Sequence, residues 1–481
     1  MAKWLLTDFY TYRWRYQIGY GLIIVAFIIM LVVAGLSVPG GLSNDEITSF
    51  IHTSELDLQN ISSLAIANLP FFALQRLSMD LFGATEFAFK LPSLVFAFIA
   101  GFGAVLLLRR WFRPNIAVLA TIIMITTGQF LYVAQSGAGG IMYILWPVWL
   151  LLAATMITTS PKHARFWKIL FFVVAPLSLY TPLSIYLVLA ICSAGLLHPH
   201  VRYVLKKMPT LHLVLLIIMS LIIVAPLGYL MIKNPGLGLT LLGKPASWPP
   251  DIMANLGKLS QQYLNFMSPQ SGTLMTPVLG LGSMALILLG VWQLFTIRYT
   301  ARSYTLTAWL ILLIPVLIIN PTFTSVTFVP LLLVLASGLS YLLRSWYRLF
   351  PRNPYARFVG VVPLTILVAG LVISGLNRYY DGYRYDPVTA ASFSHDLSIL
   401  NHQVRDKKAT TLVVAPDELP FYNAVASYNH KNPVVITLSV PASGQFAATR
   451  EAHISVVSLS PTRIITTDDS NNSDRFYIYS K

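Results

Sequence analysis

Long apolar runs separated by short polar breaks fill most of the chain, near residues 18–38, 86–108, 115–134, 141–159, 167–181, 183–197, 210–232, 274–297, 304–319, 326–343 and 359–376. A helix needs about 20 apolar residues to cross a bilayer, and these runs are of that order. The pattern therefore predicts an α-helical polytopic membrane protein of about eleven spans. The runs 167–181 and 183–197 are short for a crossing, and Pro176 and Pro182 suggest a tilted or broken hairpin there. The first run has no small-residue cleavage site after it and is expected to stay as an anchor.

Composition agrees with lipid as the solvent. The 481 residues are 56% hydrophobic and 11% charged, with a mean hydropathy of +0.67, which a soluble globular chain cannot accommodate. The net charge of +15 does not point to nucleic acid, because the basic residues are scattered between apolar runs. They are scattered unevenly, however. The segments 1–17, 109–114, 160–168, 198–208, 298–304 and 344–357 together hold 18 Lys and Arg and one acid, Asp8. The other breaks before residue 377 hold seven acids and five basic residues. Positive-inside counting then places the N-terminus in the cytoplasm and the C-terminal region outside, in a multi-pass plasma-membrane protein. The single cysteine, Cys192, lies in an apolar run and reads as a small core residue.

Three non-spanning regions are long enough to carry structure. The first external loop, 39–85, contains ISSLAIANLPFFALQRLSMDLF, whose helical spacing predicts an interfacial helix that Pro70 should break or kink. The second, 233–270, is rich in Gly and Pro and then weakly amphipathic, and is expected to cover the first. After a transmembrane region of 1–376, residues 377–481 form the third, with ten basic residues balancing ten acidic ones. Strands are expected within 409–416, 432–440, 453–459, 462–467 and 475–480, and helices within 386–404 and 418–430, giving a small external α/β domain. That domain holds no glycine-rich phosphate loop and no metal-ligand spacing. Ser394, His395 and Asp396 are sequence neighbours, whereas a triad meets through the fold, and His395, His402 and His453 read as surface histidines.

Candidate chemistry centres on Asp45 and Glu46, directly after the first run and behind Gly40-Gly41. On a helix they would project about 100° apart, so one can face a cavity while the other is held by a second group. The alternative is a pair of solvated acids capping the helix that follows. Arg76, Lys90, Lys233, Lys244 and Lys258 are the external cations that could answer a phosphate, or they are snorkelling interface residues. Asp45, Glu46 and His52 make a weak case for a divalent ion, so metal independence is expected.

Three phrases carry a resemblance: Asp45-Glu46, then Asn68-Leu69-Pro70-Phe71-Phe72, then LFGATEFAFKLPS at 81–93. Together they resemble the opening of the glycosyltransferase C (GT-C) superfamily, in the dolichyl-phosphate-mannose protein mannosyltransferase and aminoarabinose transferase branch of bacterial type. LSLYTPLSIYLVLA at 177–190 is similar to a hairpin phrase of that family. The sequence departs from the pattern at 134–143, where AQSGAGGIMY has glycines in place of an Arg or Asp, at Asn68 in place of His, and at Lys90 in place of Arg. The resemblance implies an enzyme taking a hexosyl or pentosyl group from a polyprenyl-phosphate donor to a hydroxyl of a protein, glycan or lipid, with inversion and without cofactor. It implies Asp45 as base, with Glu46 orienting the acceptor or positioning the loop. Lys90 and Arg76 would then meet the donor phosphate, and His52, Asn68, Gln135 and Tyr143 would line the pocket. Two other readings stand beside it. A transporter or lipid flippase would need mid-span charges, which are nearly absent. An inactive scaffold would accord with the missing charge at 134–143.

Overall fold

The computed structural model describes residues 14–480 except 58, 160–163, 207–208, 246, 267–277, 298, 350–354, 356–358, 387–388, 390–391, 402–410, 429–433, 456–458 and 467–474. The expected His402 lies outside these residues.

The apolar runs are helices. In chain order they are α1 (Arg15–Leu36), then, past the first loop, α4 (Glu86–Trp111), α5 (Pro114–Thr126), α6 (Gly128–Gln135), α7 (Met142–Thr159), α8 (Ala164–Ser178), α9 (Ser184–Leu197), the short α10 (Pro199–Lys206) and α11 (Thr210–Lys233). After the second loop come α14 (Leu281–Thr296), α15 (Ala301–Ile319), α16 (Phe328–Leu349) and α17 (Val361–Tyr385). Among the described residues, seven helices have the length and apolarity to cross a membrane, and the bent pair α5 and α6 makes up to eight. The difference from about eleven falls on α8, α9 and α14, of 15, 14 and 16 residues, which rise only about 21–24 Å at 1.5 Å per residue.

Sequence pattern misjudged several ends for identifiable reasons. The run 115–134 is two helices meeting at 61°, broken at Thr127-Gly128. Around Pro176 and Pro182 the break falls where expected, α8 ending two residues past Pro176 and α9 starting two residues past Pro182. Pro70 starts a helix, α3 (Leu69–Phe82), since proline's missing N–H costs nothing in a first turn. A separate 3₁₀ turn, Ile61–Leu64, precedes it. The last apolar run continues well past 376, to Tyr385.

Helix α14 meets α16 at close quarters. A Cβ on Gly290 would stand 1.9 Å from the carbonyl oxygen of Val334, and one on Gly338 1.9 Å from that of Leu286, so only glycine permits this approach.

The first loop holds β1 (Leu42–Ser43), α2 (Asn44–Ser54) and α3; the second holds α12 (Pro235–Leu241) and α13 (Ile252–Leu264). Leu237 and Leu241 of α12 pack with Leu64, Ala65 and Leu69, so the second loop does reach the first. Helix α13 turns elsewhere: Asn255 donates to the Ile319 carbonyl at 2.8 Å and Tyr263 bonds Thr327 at 2.5 Å.

Beyond α17 come β2 (Phe393–Ser394), α18 (Asp396–Ile399), β3 (Thr411–Val413), α19 (Leu419–Tyr428), β4 (Val435–Thr437), β5 (Gln445–Thr449), α20 (Arg450–Ser455), β6 (Arg463–Thr466) and β7 (Arg475–Ser480). Five strands form one sheet in the order β4-β3-β5-β7-β6, parallel through β4-β3-β5 and antiparallel through β5-β7-β6. Strand β5 lies at its centre and was not expected from the sequence, whereas His453 and Ser455, expected in a strand, lie in α20. This region is joined to the first loop. Strand β1 pairs antiparallel with β2, Leu42 opposite Ser394 and Ser43 opposite Phe393. Leu42, Phe50, Met79 and Phe89 share one buried cluster with Leu397, Phe421, Tyr422 and Tyr428.

Candidate active site

Helix α2 begins where Ser43 accepts from the Glu46 N–H at 3.3 Å while a Glu46 oxygen accepts from the Ser43 N–H at 2.9 Å, a reciprocal cap. The two acids then part company: Asp45 is exposed and Glu46 is fully buried. A buried carboxylate is tolerated only when its oxygens are satisfied, and here they are. The second oxygen of Glu46 accepts from the Gly137 N–H at 2.7 Å and lies 3.8 Å from the Lys90 ammonium.

Lys90 projects from the first turns of α4 and is itself 0% exposed. Its ammonium donates to the Gly41 carbonyl and to Gln135 Oε1, both at 2.7 Å. An ammonium enclosed in this way answers Glu46, not an outside phosphate. Gln135 is likewise buried against Lys90 and is not open to a ligand. The glycine segment at 137–140 supplies backbone where a side-chain charge would have stood. A Cβ on Gly137 would fall 2.1 Å from the Phe89 ring. Buried Gln75 closes the knot, donating at 2.9 Å to both the Phe89 and Gly137 carbonyls and accepting from Thr53 at 2.8 Å.

The other expected residues are dispersed around this knot. Arg76 on α3 is part-exposed, with Nε 4.0 Å from Asp80. Its charge also reaches the Tyr428 phenol, which burial nevertheless pushes up to about 12. His52 is exposed in the last turn of α2. Asn68 precedes α3 in a left-handed conformation, φ 58°, its N–H donating to the Tyr180 carbonyl at 2.8 Å and its Oδ1 buried without a partner. Tyr143 meets Phe323 edge-on at 6.2 Å. Lys233 and Lys244 stand 5.9 Å from the rings of Tyr229 and Trp248. Among the described residues, no three of His, Cys, Asp and Glu come together as a metal site.

One group of residues escaped the sequence reading. Tyr132 of α6 stacks on Tyr383 of α17 at 5.5 Å, and Tyr383 touches Tyr379 at 5.2 Å and Phe393 at 5.6 Å. The Tyr379 hydroxyl donates to the Val38 carbonyl at 2.6 Å, fixing α17 to the start of the first loop. Next to this aromatic ladder, Arg378 lines a cleft of about 30 Å³ with Gln129, Ser283 and Ser374, and two of its nitrogens are buried without a hydrogen-bond partner. The signal that would have found Arg378 is the spacing of Leu376, Tyr379 and Tyr383, which extends the helix past the apolar run.

Comparison with known proteins follows the same lines. Residues 69–229 match the dolichyl-phosphate-mannose-protein mannosyltransferase family. No curated protein matches the sequence. Among solved structures, ArnT from Cupriavidus metallidurans in the apo state aligns over 96% of this chain and 98% of that one, with a TM-score of 0.51 at 14% identity. The same protein bound to undecaprenyl phosphate gives 0.46 at 14% identity over 96% and 98% of the two chains. The Archaeoglobus fulgidus oligosaccharyltransferase tethered to an acceptor peptide gives 0.49 at 13% identity, over 90% of this chain and 65% of that chain. The family likeness read from the 81–93 phrase therefore holds: this chain resembles the GT-C glycosyltransferases, in sequence over residues 69–229 and in fold over nearly its whole length.

Proposed function

We propose that this chain is a membrane glycosyltransferase that moves a sugar from a polyprenyl-phosphate donor to an acceptor hydroxyl at the external face, with inversion. The observation that carries the proposal is the division of labour between adjacent acids. Glu46 is locked into the protein, and Asp45, one residue away on the same anchored helix turn, is open to solvent. The family match over 69–229 supports the lipid-linked donor.

In this reading the acceptor oxygen attacks the anomeric carbon as the bond from that carbon to the phosphate oxygen breaks. The hydroxyl proton passes to Asp45, and the bonding electrons leave with the lipid phosphate. No covalent sugar intermediate forms, so the anomeric centre inverts. Glu46 and Lys90 act as positioning residues for Asp45. Charge gathering on the departing phosphate is met by Arg76, which is part-exposed, and Arg378, two of whose nitrogens are unpartnered. His52 and Asn68 are assigned to acceptor contact, and Tyr143 to the pocket wall.

In a purified assay with a labelled polyprenyl-phosphate sugar, Asp45→Asn is expected to lower transfer by about 10²–10⁴-fold while donor binding persists. Full transfer by that variant would remove Asp45 from the mechanism. The reading needs no metal, so a chelator is expected to leave the rate unchanged, and its abolition by EDTA with recovery on adding a divalent ion would contradict that part.

A further inference from the structure

A second charged cleft lies at the other end of α4 from the site just described. Lys90 stands near the start of that helix and Trp111 at its end, about 30 Å away at 1.5 Å per residue. There a cleft of about 40 Å³ opens between the ends of α4 and α14, the start of α15 and the middle of α16. Its charged residues are Arg302 and Arg344.

Arg302 is held from one side only. Its guanidinium lies 5.9 Å from the Trp111 ring and 5.7 Å from the Phe112 ring, and it donates to the Trp111 carbonyl. Arg344 is near enough for the two like charges to repel. Among the described residues, the ion pairs are Arg76 with Asp80 and Lys90 with Glu46, and neither cleft arginine takes part in one. The chain has almost nothing to offer them: the connections that group with this end carry 18 basic residues and the single acid Asp8. Two arginines kept together without a carboxylate call for an anion from outside.

The rest of the cleft narrows the choice. Helix α15, of 19 residues, starts here with Thr300 accepting from the Ser303 N–H, so its positive dipole end adds to the two guanidiniums. Gln293, only 8% exposed, lines the cleft with a buried amide oxygen that has no partner. That oxygen asks for a donor, which a phosphodiester monoanion lacks and a hydroxyl on its head group supplies. Outside the cleft, Leu288, Trp292 and Phe295 of α14 form an exposed apolar stripe, a surface for acyl chains.

From these observations we infer that the cleft binds the head group of an anionic glycerophospholipid, with the phosphodiester between Arg302 and Arg344 and a head-group hydroxyl on Gln293. Phosphatidylglycerol has that chemistry. The site is separate from sugar transfer and needs no donor or acceptor for its test.

The full chain, purified in detergent, is titrated with phosphatidylglycerol, phosphatidylcholine or inorganic phosphate, with bound lipid counted by native mass spectrometry and thermal stability followed in parallel. Phosphatidylglycerol alone is expected to bind and to raise Tm. Arg344→Gln, at an exposed position, is expected to weaken that binding about fivefold, and Arg344→Lys to restore much of it. Arg302→Gln should weaken binding by at least as much. Unchanged phosphatidylglycerol affinity in Arg344→Gln, or equal stabilisation by phosphatidylcholine, overturns the inference. Equal stabilisation by inorganic phosphate would assign the cleft to a free anion and overturn the lipid.

Discussion

Glu46 illustrates how far a residue's role can depend on partners distant in sequence. The Asp45-Glu46 pair was visible in the sequence as candidate chemistry, and so was the possibility that one member would be held by another group. Which one was held was not visible, because the answer lies with Lys90, Gly137 and Gln75 on other segments. Lys90 itself was assigned to a phosphate because its register matched a basic family position, yet its ammonium is wholly enclosed. A buried ion pair that loses one member leaves an uncompensated charge. Lys90→Ala is therefore expected to destabilise the protein by about 3–5 kcal/mol, whereas the pair of changes Glu46→Gln with Lys90→Met should cost less than Lys90→Ala alone. Thermal unfolding of these two variants beside the wild type checks the order. A Lys90→Ala variant with unchanged Tm would show that the knot does not hold the loop.

Elements were most legible where periodicity was long. The apolar runs became helices, and 418–430 contains α19. Shorter features were lost for physical reasons. Strand β5, QFAAT, has two small alanines, Ala447 and Ala448, at its middle, which weaken the strand pattern although both are buried at the centre of the sheet. The break between α5 and α6 falls at Thr126-Thr127-Gly128-Gln129, a polar interruption too short to divide a run read as one span. Pro70 was read as a breaker and the run is indeed broken just before it, but its place in the first turn also makes it the start of α3, which the sequence reading did not give. The contact between α14 and α16 is an element-scale dependence of another kind, resting on two glycines that admit no side chain. Gly290→Val would force the helices apart and is expected to lower Tm and the yield of folded protein in detergent. A compensating change on α16 cannot relieve it, since the clash is with the Val334 backbone. Wild-type stability in Gly290→Val would mean the helices do not meet this closely.

At the scale of the whole molecule, the helical plan and the change of composition after residue 377 were both readable, and the α/β character of the last region follows from its strands. Its lack of independence was not readable. The cluster around Phe50 draws residues from the first loop, from α3 and α4, and from the C-terminal elements, and Phe50 touches Phe89, Phe421 and Tyr428 with ring centroids 5.2, 5.4 and 6.3 Å apart. Such contacts join segments that no window of sequence can relate. Truncating a fully buried aromatic costs about 3–5 kcal/mol, so Phe50→Ala is expected to loosen both sides at once. Hydrogen exchange should quicken in α2 and in α19 together; faster exchange in only one of them would indicate two separate cores.

The pairing of β1 with β2 also orders events during biosynthesis. The strand that carries Ser43 emerges early, and its partner at Phe393 and Ser394 emerges only after every helix from α1 to α17 has been made. Until then the ribosome has released a bundle whose Asp45 segment lacks its outer strand. A nascent chain stopped short of Phe393 would thus carry α1 to α17 with the Asp45 loop still lacking its partner strand, so that completion of this loop waits on residues made after α17.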